Sequence, residues 1–190
     1  MNPILSICIP TFNRPDWLLI ALNSVYDSTI SNNIEICISN NASDLDYSLV
    51  ENFLSTTSNS FITTNYFKHE KKINIDENHQ YVINMSKSEH VFLLGDDDLF
   101  LEGQLSKLIN LVIEEKPDLA IFNGLKVDAN GTYLGTHFEL PHRYYNNIED
   151  AFYDLRDKGS FGAVLTKKKC FNNKIFERFY GTQHGYGIFW

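Results

Sequence analysis

Three consecutive carboxylates, Asp96, Asp97 and Asp98, follow a short apolar run, residues 91–94, and a single glycine, Gly95. Adjacent anions repel one another and call for a cation. Hard oxygen donors suit Mg2+ or Mn2+, with the phosphates of a bound substrate completing the shell. An acidic triplet can instead be a solvated turn, but this one is pinned between residues 91–94 and the apolar pair Leu99 and Phe100, which sets it at the end of a buried strand. Uninterrupted apolar strands belong to the interior of parallel sheets. In open α/β sheets, ligands gather at the carboxyl ends of such strands.

To stand there the triplet needs a sheet around it, and the chain carries the pattern of one. Residues 4–9 form an apolar, β-branched strand stopped by Pro10. Residues 11–14 are a loop, and Pro15 and Asp16 suit the first turn of a helix that runs to about residue 27. Residues 34–38 form a second strand ending in SNNASD, where Asn and Ser favour turns. Residues 45–54 are helical in pattern and 61–67 a third strand. Asp76 is the predicted cap of a helix to Met85 with Tyr81, Val82 and Met85 inward. After the acidic strand, residues 102–115 place Leu105, Leu108, Ile109, Val112 and Ile113 at helical spacing until Lys116-Pro117 ends them, and 119–122 form a fifth strand.

Strand and helix thus alternate over the first ~125 residues, which predicts an α/β fold with a mostly parallel sheet flanked by helices. Beyond lies a smaller mixed part: a hairpin (125–127 and 132–138) turning at Asn130-Gly131, a helix over 148–158, a strand over 161–166 and a short basic helix over 167–173.

A chain of 190 residues, 43% hydrophobic and 21% charged, is an ordinary globular domain with a sizeable core. Its net charge of −8 argues against nucleic acid as the main partner. Cys8, Cys37 and Cys170 have no metal-ligand or paired spacing and read as thiols of a reducing compartment. The start of the chain lacks a basic leader and no run approaches the ~18 apolar residues of a membrane span, so a soluble, cytoplasmic protein is expected. The chain stops on GYGIFW without a polar tail, which suits either a docked terminus or a piece of a longer enzyme.

Taken in order, ILSICIPTFNRPDWLLIALNSV, IEICISNNASD and NIDENHQYVINMSKSEHVFLLGDDD resemble the nucleotide-binding half of family 2 glycosyltransferases with the Rossmann-like GT-A fold, over roughly residues 3–125. The resemblance implies transfer of a sugar from a nucleoside diphosphate sugar to an acceptor hydroxyl, with inversion at the anomeric carbon and with Mg2+ or Mn2+. It implies residues 1–125 as the nucleotide-sugar half and 126–190 as the acceptor-side half. By motif position Asp98 resembles the direct metal ligand, with Asp96 beside it, and Asp96 and Asp97 the ribose or outer partners. Pro10, Thr11, Phe12 and Arg14 resemble the lining of the nucleotide pocket. Surface polysaccharide or lipopolysaccharide synthesis follows as the setting, with a saccharide or lipid-linked saccharide as acceptor and peripheral contact at the inner face of the membrane left open. For that contact Lys167 to Lys169 are a candidate and a solvated helix end is the plainer reading.

Two stretches depart from the family pattern. Asn40 stands where an aspartate commonly meets the base, and an amide can both donate and accept. In KINIDEN, Lys72, Asn74 and Asn78 stand where Asn, Gly and Asn are usual. Asn74 can keep a glycine's backbone shape, Asn78 matches as a nucleotide contact, and Lys72 is either a surface charge or a group that reaches the phosphates. The family's catalytic carboxylate pair falls at Gln183-His184. His184 is the candidate base because an imidazole titrates near ~6.5, with Glu149, Asp150 and Glu177 as fallback carboxylates. Two other classes compete: a catalytically silent sugar-nucleotide or partner-binding domain, and a sugar nucleotidyltransferase. The second needs a glycine-rich phosphate loop, and PTFNRPDW has no glycine.

Overall fold

A computed structural model describes residues 2–155 and 162–171, together with Lys158, Lys174, Glu177 and Arg178. Four parallel strands form the frame: β1 (Leu5–Thr11), β2 (Ile34–Asn40), β3 (Ile62–Lys68) and β4 (His90–Leu93). Their order across the sheet is β3-β2-β1-β4, with Leu5 registered against both Ile34 and His90. The chain thus winds outward in one direction from β1 and then returns to β1's other side. The switch point between β1 and β4 is where an open α/β sheet leaves a crevice at its carboxyl edge.

Period-two alternation divides the core between the two faces. Leu5, Ile7, Ile9, Ile34, Ile36, Ile38 and Phe92 pack on one side against helices α1 (Pro15–Tyr26), α2 (Ser48–Thr56) and α4 (Gln104–Glu114), which bury Leu18, Leu22, Val50, Leu105 and Ile109. Cys8, Cys37, Val91 and Leu93 point the other way, onto Val82 and Ile83 of α3 (Ile75–Met85). Both central cysteines are buried free thiols.

The helix starts show which residues carry the local signals. Pro15 opens α1, where its missing N–H costs nothing. The cap expected of Asp76 belongs instead to Asn74: its side chain accepts from the Asp76 N–H, and Glu77 reaches back to the Asn74 N–H at 3.0 Å, a reciprocal capping box. Asp76 falls inside the helix, buried in its first turn.

The parallel sheet expected through the fifth strand is interrupted. β5 (Leu119–Ile121) does not reach β4, because β8 (Val164–Lys167) lies between them, antiparallel to both. Ala163, Val164 and Leu165 are buried there, so a segment of the latter half of the chain lies inside the sheet. The hairpin forms as β6 (Leu125–Val127) and β7 (Tyr133–Thr136), with Gly131 at φ +79° and the Asp128 carboxylate accepting from the Asn130 and Thr132 N–H groups. Helix α5 covers Ile148–Leu155. Of the basic helix expected over 167–173, the described residues hold a 3₁₀ turn, Lys168–Cys170. The lysines of this stretch are engaged at once. Lys168 Nζ donates to the Ser86 carbonyl at 2.5 Å, just past the end of α3, and Lys167 Nζ meets Asp118 at 2.9 Å.

Far from the carboxyl edge, at the start of β2, Glu35 is buried and accepts four hydrogen bonds. They come from Ser6 Oγ (2.5 Å), Asn65 Nδ2 (3.2 Å), Ser88 N (3.2 Å) and Lys87 N. This carboxylate ties the turn before β4 to β1 and β3.

A second buried titratable group makes acid stability predictable. Burial pushes the His79 imidazole down to about 4, against the pull of the Asp76 charge. Above about pH 6.5 the ring is neutral in both folded and unfolded chains. Below that the unfolded chain takes a proton that the folded one refuses, so stability falls by about 2–3 kcal/mol by pH 4.5. Denaturant titrations at pH 7 and 4.5 should show this loss shrinking by that amount in His79→Leu relative to the parent.

Candidate active site

At the carboxyl edge the end of β1 and the loop after β4 meet. Pro10 suits the last turn of β1 because β4 pairs only with residues 5–8, apart from the Leu94 N–H to Cys8 carbonyl bond, and a residue facing that side beyond them needs no N–H donor. There β4 ends and the chain turns through Gly95 into Asp96, Asp97 and Asp98, with the Asp98 N–H on the Gly95 carbonyl at 3.1 Å.

The loop that carries Thr11 to Arg14 is locked from several directions. Asn13 adopts φ +56°, which Asn tolerates better than most residues. Its Oδ1 accepts from the Asp44 N–H at 2.8 Å, and its own N–H donates to Ser43 Oγ at 2.9 Å. Tyr47 is almost wholly buried, and its hydroxyl accepts from the Arg14 N–H at 3.1 Å and bonds Thr11 Oγ1 at 2.8 Å. The Thr11 hydroxyl and the Phe12 N–H stand beside the Asp96 carboxylate and favour its charged form.

The three carboxylates have different surroundings. Arg14 Nη1 bridges Asp97 Oδ2 at 2.6 Å and Asp96 Oδ1 at 3.3 Å, and the two anions, Asp96 foremost, raise the guanidinium's pKa. Asp96 is buried, which pushes its carboxyl up against the pull of Thr11 and Arg14. Asp98 has no such cation among the described residues; burial first, then the Asp97 charge, push it up to about 6. Its side chain is wedged between two glycines. An added Cβ would come within 2.6 Å of Asp98 Oδ2 at Gly95 and within 2.4 Å at Gly162, where φ is +72°. Gly162 reaches the triplet because its N–H donates to the Leu93 carbonyl at 2.8 Å, just ahead of β8. Gly162→Ala should therefore cost about 2 kcal/mol of stability from the left-handed backbone and the collision. It should also weaken any Mn2+ binding at Asp98 at least tenfold by displacing that side chain; thermal melts and calorimetric titration of Mn2+ check both.

A half-buried carboxylate without a cation among the described residues, in a cluster of like charge, fits a divalent ion. Asp98 is the residue suited to hold Mg2+ or Mn2+, whereas the Asp96 oxygen expected to share it faces Arg14. Among the described residues no three His, Cys, Asp or Glu side chains form a ready-made metal cage.

The remaining expected residues divide. Phe12 is half-buried, with Lys72 Nζ 3.9 Å from its ring centroid. Asn40 is fully buried and both ends of its amide are occupied: Oδ1 accepts from the Ser43 N–H at 2.9 Å and Nδ2 donates to Tyr66 Oη at 2.9 Å. Asn78 is likewise buried, accepting from Ser39 Oγ at 2.7 Å and donating to the Ser39 carbonyl at 3.2 Å, so it joins α3 to β2. These two read as staples of the cleft wall. Glu149, Asp150 and Glu177 lie in the latter half, exposed to solvent. His184 lies outside the described residues. Sequence reasoning missed Tyr47 and Gly162. Neither carries a local signal, since each matters only through a contact made by folding.

Residues 6–176 match the model of glycosyl transferase family 2, and the chain belongs to that family. It is similar to the abequosyltransferase RfbV of Salmonella typhimurium, 24% identical over 152 residues, covering 79% of this chain and 43% of that protein. It is also similar to the GalNAc(5)-diNAcBac-PP-undecaprenol beta-1,3-glucosyltransferase of Campylobacter jejuni, 27% identical over 188 residues, covering 95% of this chain and 57% of that one. The chain thus spans about half the length of the curated relatives it matches. Among solved structures, S. aureus TarS 1–349 in complex with UDP superposes with a TM-score of 0.66 at 12% identity, over 97% of this chain and 53% of that one. The mannosyltransferase PcManGT from Pyrobaculum calidifontis, in complex with GDP-Man and Mn2+, gives 0.59 at 12% identity, over 95% and 48%. These neighbours share the fold, a mostly parallel α/β sheet flanked by helices. No described helix is long and apolar enough to cross a membrane.

Proposed function

We propose that this chain transfers a sugar from a nucleoside diphosphate sugar to an acceptor hydroxyl, with inversion and with Mg2+ or Mn2+, in bacterial surface polysaccharide or lipopolysaccharide synthesis. The observation that carries the reading is the division of labour among the three aspartates at the switch point of the sheet. Arg14 pairs with Asp96 and Asp97, and Asp98 stands half-buried between Gly95 and Gly162 without a cation among the described residues. A divalent ion at Asp98 would supply electrostatic stabilisation of the departing diphosphate without a proton donor.

The chain's own residues then divide the work. Thr11, held by Tyr47, stands beside Asp96, and Asp96 with Asp97 fixes Arg14 at the mouth of the cleft. Phe12 offers a ring face for the base. Asp96 and Asp97 stand beside the ribose, and residues 1–125 form the donor half with 126–190 on the acceptor side. The acceptor is a saccharide or lipid-linked saccharide. His184 takes its proton, and the protein works in the cytoplasm at the inner face of the membrane.

Incubation of the chain with a panel of nucleoside diphosphate sugars tests this through release of the free nucleoside diphosphate. Slow release from one donor, abolished by EDTA and restored by Mn2+, is expected. Metal-dependent binding without turnover, with or without added saccharide acceptors, would favour a silent binding domain.

A further inference from the structure

The cleft has a direction. Its β4 end holds the three aspartates and Arg14, and Phe12 follows. At its β2 end the Asn40 carbonyl accepts from the His69 N–H at 2.9 Å, and the Asn41 amide makes two bonds to the Ile73 backbone, at 2.8 and 3.0 Å. Those bonds hold the segment carrying Lys72 beside the wall, which is how its ammonium comes to lie over the Phe12 ring. The divalent ion proposed at Asp98 sets the diphosphate at the β4 end, so the flat part of a nucleotide falls at the Phe12 and Lys72 end.

At that end the wall is already committed. Asn40, Asn41, Ser39 and Asn78 spend their polar atoms on Tyr66, Ser43, Ile73 and one another. Lys72 is exposed, and among the described residues it has no ion-pair partner, only the ring face. An ammonium carries three donors and no acceptor on a flexible stem. A base stacked on Phe12 would take the ring face and move the ammonium to its own rim.

We infer that Lys72 selects the donor's base, favouring one that presents a ring carbonyl (uracil, thymine or guanine) over one with an amino group in that place (cytosine or adenine). A carbonyl accepts from the ammonium, whereas an amino group sets donor against donor. This rests on the donor-nucleotide reading of the same cleft. It gives Lys72 a place at the base, not at the phosphates.

The test compares size-matched pairs, UDP with CDP and GDP with ADP, by calorimetry in Mn2+, for the parent and Lys72→Met. In whichever pair binds, the carbonyl member should bind at least tenfold tighter. Lys72→Met should bring the two within about threefold, chiefly by weakening the carbonyl member, with an unchanged melting temperature. Equal affinities in the parent would overturn the inference and leave the transferase reading standing. So would an equal loss for both members in the variant, the mark of a phosphate contact. Binding of no nucleotide would overturn both readings.

Discussion

Asp98→Asn should lose metal-dependent activity by about 10²–10³-fold, the scale set by removing one electrostatic element aimed at developing charge, while melting at a higher temperature than the parent in metal-free buffer at pH 7.5. Both effects have one cause. Burial and the Asp97 charge raise the folded-state pKa of Asp98 to about 6, above the ~3.9 of an unfolded aspartate. A carboxylate raised in this way binds its proton more readily when folded. Its ionised form therefore destabilises the fold at neutral pH, and stability recovers as pH falls from 6 toward 4. Asparagine removes the charge and keeps the shape between Gly95 and Gly162. Because the site is still partly open to solvent, screening leaves a gain of about 1–2 kcal/mol. Saturating Mn2+ should raise the melting temperature of the parent and not of the variant. A variant that melts lower than the parent and still turns over would contradict this role for Asp98.

The second large effect lies at the opposite end of the sheet. Glu35→Ala should lower stability by about 3 kcal/mol, since the buried donors of Ser6 and Ser88 and the partly buried ones of Asn65 and Lys87 would lose their common acceptor. Urea denaturation checks it. Glu35→Gln keeps one carbonyl oxygen and should cost about half as much, because its NH2 group faces donors where a carboxylate oxygen accepted. The remaining folded Glu35→Ala protein should bind nucleotide as the parent does, the site being at the other edge. A loss below 1 kcal/mol would show that water replaces the carboxylate easily.

These two residues also mark what sequence could and could not say. The acidic triplet was legible because three like charges after an apolar strand are a local anomaly, and the alternation of strand and helix to residue 125 was legible because hydrophobic period is local too. Glu35 looked like one polar residue in IEICIS, and only the pairing of three strands puts four donors around it. Asn40 was recognised at its motif position, but whether its amide faces a base or the protein depends on Tyr66 and Ser43, which no spacing reveals. The insertion of β8 between β4 and β5 was hidden for the same reason: an apolar run of four carries no record of its neighbours or direction. That insertion brings Gly162 to Asp98. Asn74 outcompeted Asp76 as a cap because Glu77 stands at the third helical position, a local signal that was present in the sequence.

Calorimetric titration of UDP, GDP, CDP and dTDP, each with and without Mn2+, tests the central claim most directly. The division of labour among the aspartates predicts that at least one nucleotide binds, that Mn2+ tightens it tenfold or more, and that the Mn2+ effect disappears in Asp98→Asn. Equal binding with and without the metal, unchanged in the variant, would contradict a metal-assisted donor site at the end of β4.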